Sequence, residues 1–119
     1  MLNHLLGAFN GCTGLTGNIP EKLFLNCTNV NKFGRKQEWN YQNAAGIFEG
    51  CTGLTGKIPE NLFSNCTNVT DFYRVFYGCT GLTGNAPELW NRTNVTSSGG
   101  CFYNCTNLSN YADIPSSWK

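Results

Sequence analysis

The chain has 119 residues, a formal net charge of +1, 40% hydrophobic residues and only 13% charged ones. That length holds one domain with a modest core, and the near-zero charge excludes bulk electrostatic attraction to nucleic acid or an anionic membrane. No apolar run approaches the roughly 20 residues of a membrane-spanning helix.

The opening residues, MLNHLL, are too short and lack the basic flank of a secretory signal. Export would therefore mean that the chain is a fragment or travels by another route, such as assembly into a virion. The phrase GCTGLTG then begins at Gly11, Gly50 and Gly78, and a second phrase, LFxNCTNV, begins at Leu23 and Leu62. Repetition this close marks an array built from one unit, and arrays present extended binding surfaces.

Cys12, Cys27, Cys51, Cys66, Cys79 and Cys105 align in one column. Three residues before each lies Phe9, Phe24, Phe48, Phe63, Phe76 or Phe102, and the residue before that is apolar (Ala8, Leu23, Ile47, Leu62, Val75, Cys101). A Thr follows each Cys, then Gly or Asn, then Leu15, Val30, Leu54, Val69, Leu82 or Leu108. The unit reads apolar-Phe-x-[Gly/Asn]-Cys-Thr-[Gly/Asn]-[Leu/Val].

Apolar, Phe and Cys at relative positions 0, 1 and 4 predict one face of a short helix. Ile19-Pro20-Glu21 and Ile58-Pro59-Glu60 supply a helix-start signal. The aliphatic after the Cys begins a short extended segment, and Gly or Asn marks the turn. The expected fold class is therefore α/β: a leucine-rich-repeat-like solenoid of short helix-turn-strand units. Residues 1–119 form a single repeat domain of about seven 13–15-residue units. Either each unit is one coil, or two alternating half-units share a coil of 28 residues.

Two interruptions stand out. Residues 34–44 insert about 11 residues between Cys27 and Cys51 and carry Arg35, Lys36, Glu38, Trp39 and Tyr41. Insertions in repeat arrays map to loops on one face, often the binding face, so these five residues are the candidate binding site. The competing reading is a solvated loop with Trp39 folded onto the stack. Residues 89–96 form a degenerate unit with Trp90 for Phe and Arg92 in the Cys column. A buried Arg without partners is costly, which predicts an opened unit or an outward Arg92. Ser97-Ser98-Gly99-Gly100 reads as a loose link, and residues 111–119 as a C-terminal cap.

Seven cysteines invite disulfide or metal readings. Six share one context, which favours structural thiols acting as small hydrophobes, with pairing between adjacent layers as the alternative. No metal is expected, since there is no Cys-x-x-Cys or His cluster, and no cofactor. Sequons at Asn26, Asn65, Asn68, Asn91, Asn94, Asn104 and Asn107 recur with the repeat, so turn-forming Asn explains them before glycosylation does. Regular Thr columns such as Thr52/Thr55 and Thr80/Thr83 raise ice binding, but turn and strand-edge bonding accounts for them more simply. His4 is the only His, and no nucleophile set or phosphate loop is present; Glu21, Glu60 and Glu88 read as helix-start residues. The chain is expected not to be an enzyme.

The run Phe48-Glu49-Gly50-Cys51-Thr52-Gly53-Leu54 through Ile58-Pro59 resembles the BspA-like leucine-rich repeat family, and the likeness spans about residues 8 to 114. The resemblance implies a right-handed α/β solenoid on a bacterial or protozoan surface, or in a phage fibre, used in adhesion. It carries no catalytic residues. The expected function is a non-enzymatic interaction or adhesion module of a cell-surface or virion protein, extracellular, binding a protein or glycan partner. The alternative is a structural module that stacks or homo-oligomerises as a spacer or fibre, with Leu2, Leu5 and Leu6 as a cap or contact.

Overall fold

The residue before Cys51, Cys79 and Cys105 decides the local structure of those units. Gly50, Gly78 and Asn104 have φ of +76°, +74° and +63°, the left-handed region that L side chains avoid and that Gly and Asn tolerate. A right-handed helix cannot pass through such a residue. The apolar-Phe-x-Gly-Cys segment therefore closes as a turn, with Cys51, Cys79 and Cys105 N–H donating to the carbonyls of Phe48, Phe76 and Phe102 at 3.0 Å.

Two further donors of each segment leave the unit. Phe48 and Gly50 N–H donate to Val75 and Tyr77 O, and Phe76 and Gly78 N–H to Cys101 and Tyr103 O, at 2.8–3.0 Å. Each backbone amide must be paired once buried, and here the neighbouring unit takes the role a preceding helical turn would take. The Ile-Pro-Glu segments behave alike, with Leu23 N–H donating to Pro20 O and Leu62 N–H to Pro59 O.

A computed structural model describes residues 11, 14–35 and 45–119. Among these there is no α-helix. Strand β1 (Gly34–Arg35) pairs antiparallel with β2 (Ala45–Gly46), and β3 (Gly56–Lys57) pairs parallel with β4 (Leu82–Thr83). Single parallel bridges join Gly17 to Leu54, Lys32 to Asp71 and Asp71 to Ser97. Three 3-10 turns, Leu89–Asn91, Tyr111–Asp113 and Ser116–Trp118, complete the elements. The expected α/β solenoid of helix-turn-strand units is thus not what the chain forms. It is a compact globule with extents of 30 × 30 × 29 Å, built of turns and very short strands.

The aligned columns nevertheless meet in its interior. The rings of Phe48, Phe76 and Phe102 stack at 5.5 and 5.6 Å with interplanar angles of 10° and 12°. Phe24 stacks on Phe63 at 5.6 Å, this pair meets Phe48 and Phe76 at 6.0 and 6.1 Å, and Phe33 and Phe72 pack edge-on against Phe63. Trp118 packs against Phe102 and Phe72, and its carbonyl accepts the Phe102 N–H at 2.8 Å.

The thiols bridge units. Cys79 Sγ donates to Phe48 O and Cys105 Sγ to Phe76 O, both at 3.1 Å, and Cys66 Sγ lies 3.6 Å from Phe24 O. Cys27, Cys51, Cys66, Cys79, Cys101 and Cys105 are free. Burial raises the Cys66 thiol to about 11 and Cys105 to about 12, and pushes Cys79 and Cys101 up as well. Because the thiolate is the nucleophile, iodoacetamide at pH 8 is expected to spare Cys66, Cys79, Cys101 and Cys105 in the native protein. Peptide mapping that found these four labelled before unfolding would contradict the packing.

Asn104 closes its own turn as expected, while other sequon asparagines bridge units. Asn68 Nδ2 donates to Thr28 O, Asn94 Nδ2 to Thr67 O and Asn107 Nδ2 to Thr80 O, at 2.9–3.1 Å.

Arg92 departs furthest from expectation, since it turns inward. Its Nη1 donates to Cys66 O at 2.8 Å and its Nη2 to Phe63 O at 2.6 Å, while its guanidinium lies 5.5 Å from the Phe72 ring centroid. Cys66 and Cys79 reach the carbonyls of Phe24 and Phe48; Arg92 reaches Phe63 O in the same manner. The charge is tolerated because two carbonyls and an aromatic face surround it.

Candidate binding site

The variable position of the unit, the x after Phe, forms a surface column. Before Cys51, Cys79 and Cys105 it holds Glu49, Tyr77 and Tyr103. Tyr77 and Tyr103 stack at 4.5 Å with an interplanar angle of 18°, and Tyr103 is 43% exposed. Exposed aromatic pairs of this kind are a hallmark of recognition surfaces, because they supply apolar area with a polar tip.

Arg74 joins this column to its neighbours. Its guanidinium lies 4.7 Å from the Tyr77 ring centroid and 5.2 Å from that of Tyr73. Its Nη1 lies 3.6 Å from Glu49 Oε2, and Glu49 Oε1 accepts the Gly46 N–H at 3.2 Å. Arg74 has φ of +55°, a conformation that costs a non-glycine residue roughly 1–3 kcal/mol. The backbone is held there because Arg74 N–H donates to Gly99 O at 3.0 Å. A methyl on Gly100 would sit 3.1 Å from the Tyr77 ring and 3.3 Å from Arg74 Cγ. The Ser97–Gly100 segment, expected as a loose link, is instead the support beneath Tyr73, Arg74 and Tyr77.

A polar cleft of about 540 Å³ opens beside Tyr73, lined by Lys32, Asp71, Tyr73, Thr96, Ser97, Ser98 and Gly99. Asp71 is 8% exposed; its Oδ1 accepts the Tyr73 N–H at 2.9 Å, and the Ser97 side chain bonds it. Burial raises the Asp71 carboxyl above its ordinary 3.8, opposed by the Tyr73 and Ser97 hydrogen bonds and by Lys32. Burial likewise raises Glu49 above 4.5, opposed by Arg74 and the Gly46 N–H. The folded state therefore binds these two protons more tightly than the unfolded chain does. The stability they contribute is complete below the ordinary values and is lost as pH rises through the folded ones. Mild acidification from neutral pH is expected to raise the melting temperature, and Asp71→Asn to flatten that rise. A melting temperature that falls steadily over the same window in the wild-type chain would contradict the assignment.

The insertion departs from the edge of this face. Gly34 and Phe33 N–H both donate to Asp71 O, at 3.3 and 3.0 Å. A Cβ on Gly34 would meet Tyr73 O, and one on Gly46 would meet Arg74 O. Since backbone cannot yield as a side chain does, Gly46→Ala is expected to lose about 1–3 kcal/mol, measured by urea unfolding. An unchanged midpoint would show that β2 does not lie on Arg74. Of the five sequence-predicted residues, Arg35 is half-buried in β1, opposite Ala45. Lys36, Glu38, Trp39 and Tyr41 fall outside the described residues, as does His4.

Sequence reasoning missed Tyr77, Tyr103 and Arg74. For the two tyrosines the available signal was the one position of the unit that the repeat leaves free. Among the described residues, no group of three or more His, Cys, Asp or Glu is placed to hold a metal, and no helix is long and apolar enough to cross a membrane. No protein-family model and no curated protein matches the chain.

Proposed function

We propose that the chain is a non-enzymatic interaction module, an adhesion element of a cell-surface or virion assembly. The observation that carries this reading is the stack of exposed Tyr103 on half-buried Tyr77, locked by an Arg74 whose backbone is held in a strained conformation. Strain kept at a surface aromatic cluster is better explained by recognition than by folding. In a biolayer assay on immobilised secreted glycoproteins such as gastric mucin, the chain is expected to bind. Tyr103→Ala should weaken that binding about tenfold, as for an anchor residue, with the melting temperature held. A wild-type chain that fails to bind, or a Tyr103→Ala chain that binds equally well, would count against the site.

The second reading is a spacer that self-associates. It is favoured by the exposed side chains of Leu23 and Leu25, at 38% and 47%. Light scattering distinguishes the two: concentration-dependent assembly abolished by Leu25→Ser supports the spacer, and a monomer at all concentrations removes it.

A further inference from the structure

We propose that the occupant of this face is a neutral glycan, one sugar seated in the Asp71 cleft and the chain continuing over the tyrosines. The inference rests on the interaction-module reading above and names its ligand class.

The cleft is rich in acceptors. Thr96 Oγ1 donates to Thr70 O at 3.2 Å and Ser98 Oγ to Ser117 O at 3.1 Å, so each hydroxyl spends its proton on the protein and keeps lone pairs. Asp71 accepts from Tyr73 N–H and Ser97, yet a carboxylate has about four lone-pair sites. Lys32 supplies donors on the same wall. The complement is a ligand dense in hydroxyl donors that can also accept.

The charges cancel. Lys32 and Arg74 are matched by Asp71 and Glu49, the last already paired with Arg74 at 3.6 Å. A phosphorylated or sulfated ligand would meet the Asp71 carboxylate, and a polycation would meet Lys32 and Arg74. A neutral ligand meets neither penalty.

The aromatic side completes the match. Tyr73 lines the cleft, and through Arg74 it is continuous with Tyr77 and Tyr103. A pyranose has an apolar C–H face and a hydroxyl edge, so it pairs one with a ring and the other with the acceptors. The cleft volume of about 540 Å³ lies within the roughly 300–1,000 Å³ of small-ligand sites. A protein partner would instead need a broad contact of about 800 Å² on its own side.

The test uses the full chain on immobilised gastric mucin, untreated or oxidised with periodate, which cleaves vicinal diols and leaves the polypeptide in place. Binding is expected to untreated mucin, to fall about tenfold or more after periodate or with Tyr103→Ala, Lys32→Gln or Asp71→Asn, and to change little with salt. Free neutral oligosaccharides released from the same mucin should compete. Should Asp71→Asn not fold, the Tyr103 and Lys32 variants carry the comparison. Binding that survives periodate overturns the glycan inference and leaves the interaction module standing. Binding abolished by raised salt likewise overturns the neutral ligand. No binding to either layer overturns both.

Discussion

Phe76→Ala is expected to be the most destabilising single truncation in the molecule. Phe76 is fully buried and is the middle ring of the Phe48–Phe76–Phe102 stack, with Phe63 edge-on at 6.1 Å. Truncation removes the transfer energy of the ring and leaves a cavity that three flanking aromatics cannot collapse into, a cost of about 3–5 kcal/mol. For a domain this small, that is a large fraction of total stability. The Phe76 backbone also donates to Cys101 O and accepts from Cys105 Sγ, so collapse into the void would strain both links. Phe76→Leu keeps most of the volume and should lose clearly less. Urea denaturation of the two variants checks the ordering, and equal midpoints would show that the stack is not the centre of the core.

Arg92→Ala carries the second-largest expectation. It strips donors from Cys66 O and Phe63 O together; Phe63 O keeps the Cys66 N–H, but losing two charge-assisted bonds makes a loss of about 2–4 kcal/mol. Lys presents a point charge instead of a planar fork, so Arg92→Lys should recover only part of it. Arg92→Cys is the informative variant. If the residue works as the thiols do, by donating to the preceding Phe carbonyl, Cys should rescue more than Ala does. A Cys variant no better than Ala would mean that the long reach of Arg is required because this unit is one residue shorter.

Much of the core was legible in the sequence. Aligning the repeats on Cys placed Phe24, Phe48, Phe63, Phe76 and Phe102 in one column, and all are buried. The same alignment marked Val30, Leu54, Val69, Leu82 and Leu108, also buried. Leu23 is 38% exposed, and Leu15 and Cys27 are only partly buried. What periodicity could not resolve was the destination of the backbone hydrogen bonds. Spacing of 0, 1 and 4 buries one face of a helix, and equally one face of a turn whose amides pair with a neighbour. The deciding residues were Gly50, Gly78 and Asn104, whose positive φ is invisible when Gly and Asn are read only as turn markers.

The site was less legible, for a related reason. Attention went to residues 34–44 because they break the pattern, and the structure roots that insertion beside Tyr73 and Arg74. Tyr77 and Tyr103 belong to the pattern and vary within it. The sequence predicts an opened unit or an outward Arg92 because a buried charge is costly alone; the carbonyls that the turns present to it, invisible in the sequence, draw it inward.

The Trp118 carbonyl has a role beyond its one hydrogen bond. It stands where another repeat would offer its acceptor to Phe102 N–H, while the indole lies over Phe102 and Phe72. The outermost amide is thereby occupied and the outermost ring roofed. An unpaired row of amides beside bare aromatics would template the addition of foreign strands. With the Phe102 amide paired and its ring covered, this position offers no such template.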